Sequence, residues 1–263
     1  MNLSTNTIHY RTINPDGTAF VVGDIHGCYD ELFLALKAIG FDFTTDTLFS
    51  LGDIVDRGTN DLKSMSLQLE PWFKQVLGNH EALHLEDYRI HPSNGTLWSY
   101  SVEQNSPELY QQFLTRCSQL PNVIIIDNKY ALIHAALPMI SYSGLDEITD
   151  IKQILHEYEF TTNLYRPDPT LWDISIFHSS YIPPLPGIDQ VFHGHYIQPN
   201  ITVKGKSVYL DTGFMSPEYS NSDINSISFA ILNKGRKPIY LTVVIDFAIQ
   251  RVIDIHEDII YIN

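Results

Sequence analysis

The chain has 263 residues, 44% hydrophobic and 18% charged, which supplies a packed core and argues against global disorder. Sixteen Lys+Arg against 31 Asp+Glu give a net charge of −15 with the basic residues scattered, so nucleic acid and anionic membranes are poor partners. Two cysteines, Cys28 and Cys117, cannot staple a domain of this size, and no apolar run reaches the roughly 18 residues of a membrane span. The polar N-terminus shows no leader pattern, so a cytoplasmic protein with free thiols is expected.

The first third alternates strand and helix signals. Ala19–Val22 reads as a buried strand ending at Gly23-Asp24, and Leu32, Leu36 and Ile39 then recur at helical spacing up to Gly40. Thr47–Leu51 is a second strand ending at Gly52-Asp53, and Leu62–Leu69 a second helix stopped by Pro71. Phe73–Leu77 is a third strand, ending at Gly78-Asn79. In open α/β sheets, ligands bind beyond the carboxyl ends of the strands, which is where Asp24, Asp53 and Asn79 fall.

Farther on, Pro107–Gln119 suggests a helix, and Val123–Ile126 with Tyr130–Ile133 an antiparallel pair turning at Asp127-Asn128. Residues 141–187 read as a surface lobe, with a helix near 148–158 and a Pro- and aromatic-rich stretch that could form a substrate rim. Strands follow at Gln190–Phe192, Ile201–Val203, Ser207–Leu210, Ile227–Leu232, Ile239–Ile245 and Val252–Ile255. The expectation is one α/β domain over residues 1–263, an αβ sandwich of two mixed sheets flanked by helices, with a strand-rich part from 216 to 263.

Five short motifs carry polar residues suited to chemistry: Gly23-Asp24-Ile25-His26-Gly27, Gly52-Asp53-Ile54-Val55-Asp56-Arg57-Gly58, Gly78-Asn79-His80-Glu81, Ile133-His134-Ala135 and His193-Gly194-His195. Singly, each reads as an Asx turn or a core histidine. Together they supply what a pair of divalent cations needs: a shared carboxylate, other oxygen ligands and imidazoles. Asp24, His26, Asp53, Asn79, His134 and His195 are that set, with only two carboxylates in it.

These motifs resemble the phosphoprotein phosphatase branch of the calcineurin-like metallophosphoesterases, especially its phage and bacterial members. The likeness is dense from 18 to 90, continues in patches through Leu120-Pro121, Tyr130–His134 and Tyr209-Leu210-Asp211-Thr212-Gly213, and ends near 215. The resemblance implies a metallophosphoesterase fold that hydrolyses Ser/Thr phosphate, and admits Tyr phosphate, by direct attack of a dimetal-bound hydroxide. It implies that Asp24 and His26 hold one metal, Asp53 bridges, and Asn79, His134 and His195 hold the other. Asp56 would orient His80 as leaving-group acid, and Arg57 would grip phosphate oxygens. Mn is the ion expected to activate it in an assay, with Fe and Zn also admitted. Expected substrates are phosphoproteins or small phosphoesters.

One departure stands out. Family members carry a second phosphate-clamping arginine just after a tryptophan, but here Leu171-Trp172-Asp173-Ile174 has none, and Arg166 is the candidate substitute. Three other readings compete. His80-Glu81-Ala82-Leu83-His84 matches the H-E-x-x-H zinc-protease pattern, which would leave the other motifs idle. Symmetrical dinucleoside tetraphosphate hydrolysis keeps the site and changes the substrate. A catalytically weak phosphoprotein-binding module would explain the missing arginine. His193 reads as a residue behind the ligands, His84 as a helix-surface residue or a support, and Cys28 as core packing. His91, His156 and His178 read as surface residues. Tyr165, Trp172, Phe177 and Tyr181 read as the small core of the lobe rather than a rim, and Pro183–Pro186 as a rigid loop.

Overall fold

In a computed structural model, the described residues are 8–85, 106–137, 169–178, 187–215 and 221–258. Most of the expected lobe, including the proposed helix near 148–158, Tyr165, Arg166, Tyr181 and the proline run, lies outside them, as do His91 and His156.

In chain order the elements are β1 (Ile8–Arg11), β2 (Ala19–Val22), α1 (Tyr29–Ala38), β3 (Thr47–Ser50), α2 (Asp61–Ser66), β4 (Phe73–Gln75) and α3 (Asn79–Leu85). Then come α4 (Pro107–Cys117), β5 (Val123–Ile126), β6 (Tyr130–Ile133) and two short helices, α5 (Pro169–Trp172) and α6 (Ser175–His178). The last strands are β7 (Gln190–His193), β8 (Thr202–Lys204), β9 (Ser207–Tyr209), β10 (Ile224–Leu232), β11 (Ile239–Asp246) and β12 (Arg251–Glu257). No helix among the described residues is long and apolar enough to cross a membrane.

The strands form two six-stranded sheets, ordered β1-β5-β6-β7-β9-β8 and β12-β11-β10-β2-β3-β4. Both are mixed, as expected: β2, β3 and β4 run parallel, while β10 joins β2 antiparallel with Phe229 opposite Val22. The C-terminal strands extend the N-terminal sheet, and β1, a strand absent from the sequence reading, pairs with β5 in the other sheet. Its residues are half-buried or exposed, so periodicity carried little signal there.

Strand alternation sorts the core into layers. Val21 and Phe49 of one sheet meet Ile124, Leu132, Phe192 and Val208 of the other in the space between them. The alternate residues Phe20, Val22 and Leu48 face outward to Leu32 and Leu36 of α1 and Phe113 of α4. Removing a large side chain from either layer would cost about 2–5 kcal/mol. This packing fixes the strand ends from which the functional residues emerge.

Candidate metal centre

Because β2, β3 and β4 are parallel neighbours, Asp24, Asp53 and Asn79, just beyond their C-terminal ends, emerge side by side. In the other sheet β6 and β7 are likewise parallel, and release His134 and, two residues past the strand, His195. Asp24, His26, Asp53, Asn79 and His134 are buried, and His195 is partly open. Side chains separated by up to 171 positions thus share one cleft: the backbone N–H of His195 donates to both Asp24 oxygens, at 3.1 and 3.2 Å.

The hydrogen bonds fix the ring tautomers. His26 Nδ1 lies 3.1 Å from the Val55 carbonyl oxygen, and His134 Nδ1 2.7 Å from that of Leu51. A carbonyl only accepts, so each Nδ1 carries the proton and each Nε2 offers a lone pair. His134 Nε2 then faces Asn79 Oδ1 at 2.8 Å and Asp53 Oδ1 at 3.6 Å, acceptor against acceptor. His26 Nε2 faces carboxylate oxygens of Asp24 at 3.7 Å and Asp53 at 4.0 Å. Burial keeps the rings neutral, pushing His26 down to about 3 and lowering His134 as well. At His134 the lone pairs converge with no proton between them, while the His26 Nε2 lone pair takes an N–H from Arg57; lone pairs directed this way suit a cation, and a mixed N/O donor set without thiolate suits Mn, Fe or Zn.

Two groups of ligand atoms lie within 4.8 Å of one another: His26, Asp53 and His80, and Asp53, His134 and His195. Asp53 belongs to both. His80 enters the first group through Nε2, 3.8 Å from Asp53 Oδ2, whereas its Nδ1 is 2.5 Å from Asp56 Oδ2. Burial disfavours the His80 cation, but the Asp53 and Asp56 carboxylates outweigh it and raise its pKa. A proton on Nε2 blocks ligation and suits donation to a leaving oxygen.

A further carboxylate, outside the expected ligand set, lies beside it. Asp211, just past β9, is buried beside Asp24; burial and Asp53's charge push it up to about 6. Burial and the charges of Asp211 and Asp53 raise Asp24 well above the usual carboxylate range. The missed signal was a strand followed by an acid, as at Asp24 and Asp53. Glu81 was also missed: it accepts backbone N–H bonds from Asp53 (2.9 Å), Ile54 (2.9 Å) and Gly78 (3.0 Å), clamping the Asp53 loop to the start of α3.

Local strain collects here. His26, Asp53, Asp56, Arg57 and His195 all adopt positive φ, between 44° and 68°. Each such non-glycine conformation costs on the order of 1–2 kcal/mol and persists only where packing imposes it. Space is equally short: a Cβ on Gly194 would stand 2.3 Å from Asp24 Oδ1.

Around the cluster, Arg57 Nη1 approaches His26 Nε2 at 3.2 Å, placing the guanidinium at the partly open mouth. His84 is buried, so the helix-surface alternative fails; its Nε2 lies 3.5 Å from Asp56 Oδ1 and its Nδ1 3.1 Å from the Tyr110 hydroxyl. His80 and His84 therefore flank Asp56, while Glu81 is occupied by backbone donors, an arrangement unlike a zinc-protease site. His193 donates to the Ala135 carbonyl at 2.7 Å and takes a bond from Ser207 at 3.1 Å, propping the backbone beside His134. Cys28 is a buried core residue whose thiol is pushed up by burial. Trp172 is not in a lobe core: it is 37% exposed and meets His195 edge-on at 6.1 Å, so it forms part of the rim. Phe177 packs against Tyr196 and Tyr209, and His178 is exposed.

Comparison with known proteins gives consistent results. Residues 18–199 match the family model described as calcineurin-like phosphoesterase. Serine/threonine-protein phosphatase 2 of Salmonella typhimurium is 33% identical over 216 residues, covering 78% of this chain and 93% of that one. Its Escherichia coli namesake is 31% identical, covering 79% and 90%. A symmetrical bis(5'-nucleosyl)-tetraphosphatase of Cellvibrio japonicus is 28% identical, covering 60% and 61%. A Saccharomyces cerevisiae protein serine/threonine phosphatase superposes with a TM-score of 0.58 at 17% identity, covering 96% and 85%, and shows the shared fold.

Proposed function

The chain belongs to the calcineurin-like phosphoesterase family, and from that premise we propose a metal-dependent phosphatase acting on phosphoserine and phosphothreonine in proteins. The observation that carries this reading is Asp53, whose carboxylate belongs to both candidate ligand groups and thus suits a bridge. Asp24, His26 and Asp53 would hold one divalent cation, and Asp53, Asn79, His134 and His195 the other. Such a pair supplies charge neutralisation at the phosphoryl group and acidifies water.

The remaining steps belong to the chain's own side chains. Arg57, at the mouth of the cleft, would bind phosphate oxygens through its fork of N–H donors. His80, held through Nδ1 by Asp56, would keep a proton on Nε2 for the departing serine or threonine oxygen. The N–H bonds from Asp53, Ile54 and Gly78 to Glu81 hold the Asp53 loop in its strained shape. Trp172 on the rim would touch the substrate chain beside the phosphate. The two free, buried cysteines accord with a cytoplasmic location.

Similarity to a tetraphosphatase keeps one second reading in view. Turnover of p-nitrophenyl phosphate, phosphoserine, phosphothreonine and phosphotyrosine peptides and diadenosine tetraphosphate, with Mn, Fe or Zn supplied, tests both. Preferential release of phosphate from the Ser/Thr peptides is expected. Preference for diadenosine tetraphosphate would shift the assignment to that substrate, and tight phosphopeptide binding without release would make the chain a binding module.

A further inference from the structure

The H-E-x-x-H spacing, idle in the phosphatase reading, sets two imidazoles on one face of α3, a turn apart. Both rings are buried, and both face the same carboxylate. His80 Nδ1 lies 2.5 Å from Oδ2 of Asp56, and His84 Nε2 lies 3.5 Å from Oδ1. That Oδ1 takes no ordinary hydrogen bond among the described residues, so the His84 ring is what offsets its burial. Burial disfavours the Asp56 charge, but the contacts with His80 and His84 outweigh it and hold the carboxyl below its usual range.

The far edge of His84 is held by α4. Its Nδ1 is 3.1 Å from the Tyr110 hydroxyl, and the rings of Tyr110 and Phe113 meet it edge-on at 5.9 and 5.7 Å. A hydroxyl can donate, whereas an ionised carboxylate only accepts. With the Tyr110 O–H on Nδ1, the His84 proton sits on Nε2 and points to Asp56. The other neutral tautomer would set a lone pair against a buried anion. A carboxylate held through one oxygen can turn about its Cβ–Cγ bond, where the torsional wells are broad. A donor on each oxygen fixes its plane, and with it the direction of the His80 ring.

We propose that His84, braced by Tyr110, is a positioning residue for the leaving-group proton, acting through Asp56 to keep His80 aimed at the departing oxygen. This role rests on the phosphatase reading. His84 belongs to neither candidate ligand group. As the P–O bond breaks, its electron pair stays on the serine oxygen and the Nε2 proton of His80 moves there; His84 gives up no proton. The need for that transfer depends on the ester. A serine oxygen would otherwise leave as a strongly basic alkoxide, whereas p-nitrophenolate leaves as a stable anion.

Steady-state kinetics on the full, Mn-loaded chain, with a phosphoserine peptide and p-nitrophenyl phosphate, tests this. His84→Leu should lower kcat for the peptide about tenfold or more with KM little moved, and kcat for p-nitrophenyl phosphate less than about threefold. His84→Gln, whose amide can offer an N–H near the place of Nε2, should recover most of the loss. Tyr110→Phe should show a smaller loss with the same contrast between esters, and carries the test should His84→Leu not fold. In a His80→Asn chain, His84→Leu should have no further effect on the peptide, because the route through His80 is gone. A merely structural residue would slow both esters alike and add to the His80→Asn loss. Equal losses on the two esters, no loss on either, or additivity in the folded double variant would overturn this proposal alone. A parent chain that releases phosphate from neither ester would overturn the phosphatase reading and this role with it.

Discussion

His80 donates Nδ1–H to Oδ2 of Asp56 across 2.5 Å, and the opposite edge of its ring turns Nε2 toward Asp53. The carboxylate fixes both the tautomer and the angle of the imidazole, which is what a proton donor aimed at one oxygen needs. His80→Asn should therefore keep both metals and lose activity, with kcat lower by about 10²–10⁴. Metal content by mass spectrometry beside turnover checks this. An unaltered rate would remove His80 from the chemistry.

Asp53 stands between the two ligand groups, so its loss should not leave a half-working centre. Asp53→Asn is expected to lose metal and turnover together, as a chelator should do reversibly with the parent chain. A variant that retains both would show that the bridge lies elsewhere.

Gly194 leaves no space beside Asp24. A methyl group there would meet Asp24 Oδ1 at 2.3 Å and the Leu51 side chain at 3.2 Å, so Gly194→Ala should displace the carboxylate. The expected result is at least tenfold weaker metal affinity in a chain whose circular dichroism is unchanged. Normal affinity would mean that Asp24 is not a ligand.

Glu81 is expected to act through stability. Removing it in Glu81→Ala orphans three buried N–H groups, at about 1–3 kcal/mol each before relaxation. A net loss of about 2–4 kcal/mol should lower Tm by roughly 5–15 °C, with less effect from Glu81→Gln, which keeps an acceptor. A protease general base would instead spare stability, and the melting curve separates the two.

Trp172 reaches the rim beside His195, and Asp173 follows it where the family resemblance implies an arginine. If Arg166 supplies the missing clamp, Arg166→Ala should raise KM or lower kcat about tenfold or more, the worth of one charge-assisted contact. Unchanged kinetics would leave Arg57 as the sole guanidinium clamp.

Much of this protein is legible in the order of its residues. Buried strands such as Ala19–Val22 and Val123–Ile126 are unbroken apolar runs, and β2, β3 and β4 each lead into a glycine and a candidate ligand. Local chemistry sets those features, so no partner segment is needed to see them. Pairing across the chain is different. That β10 lies against β2, that β1 crosses to the other sheet, and that Asp211 lands beside Asp24 depend on long-range packing. Alternation along one strand records which residues are buried and not which strand lies next to it. Residue order is enough to name the candidate ligand types and the strand ends that present them; which of those groups meet follows from burial of the shared core, which joins the two sheets and which no local preference encodes.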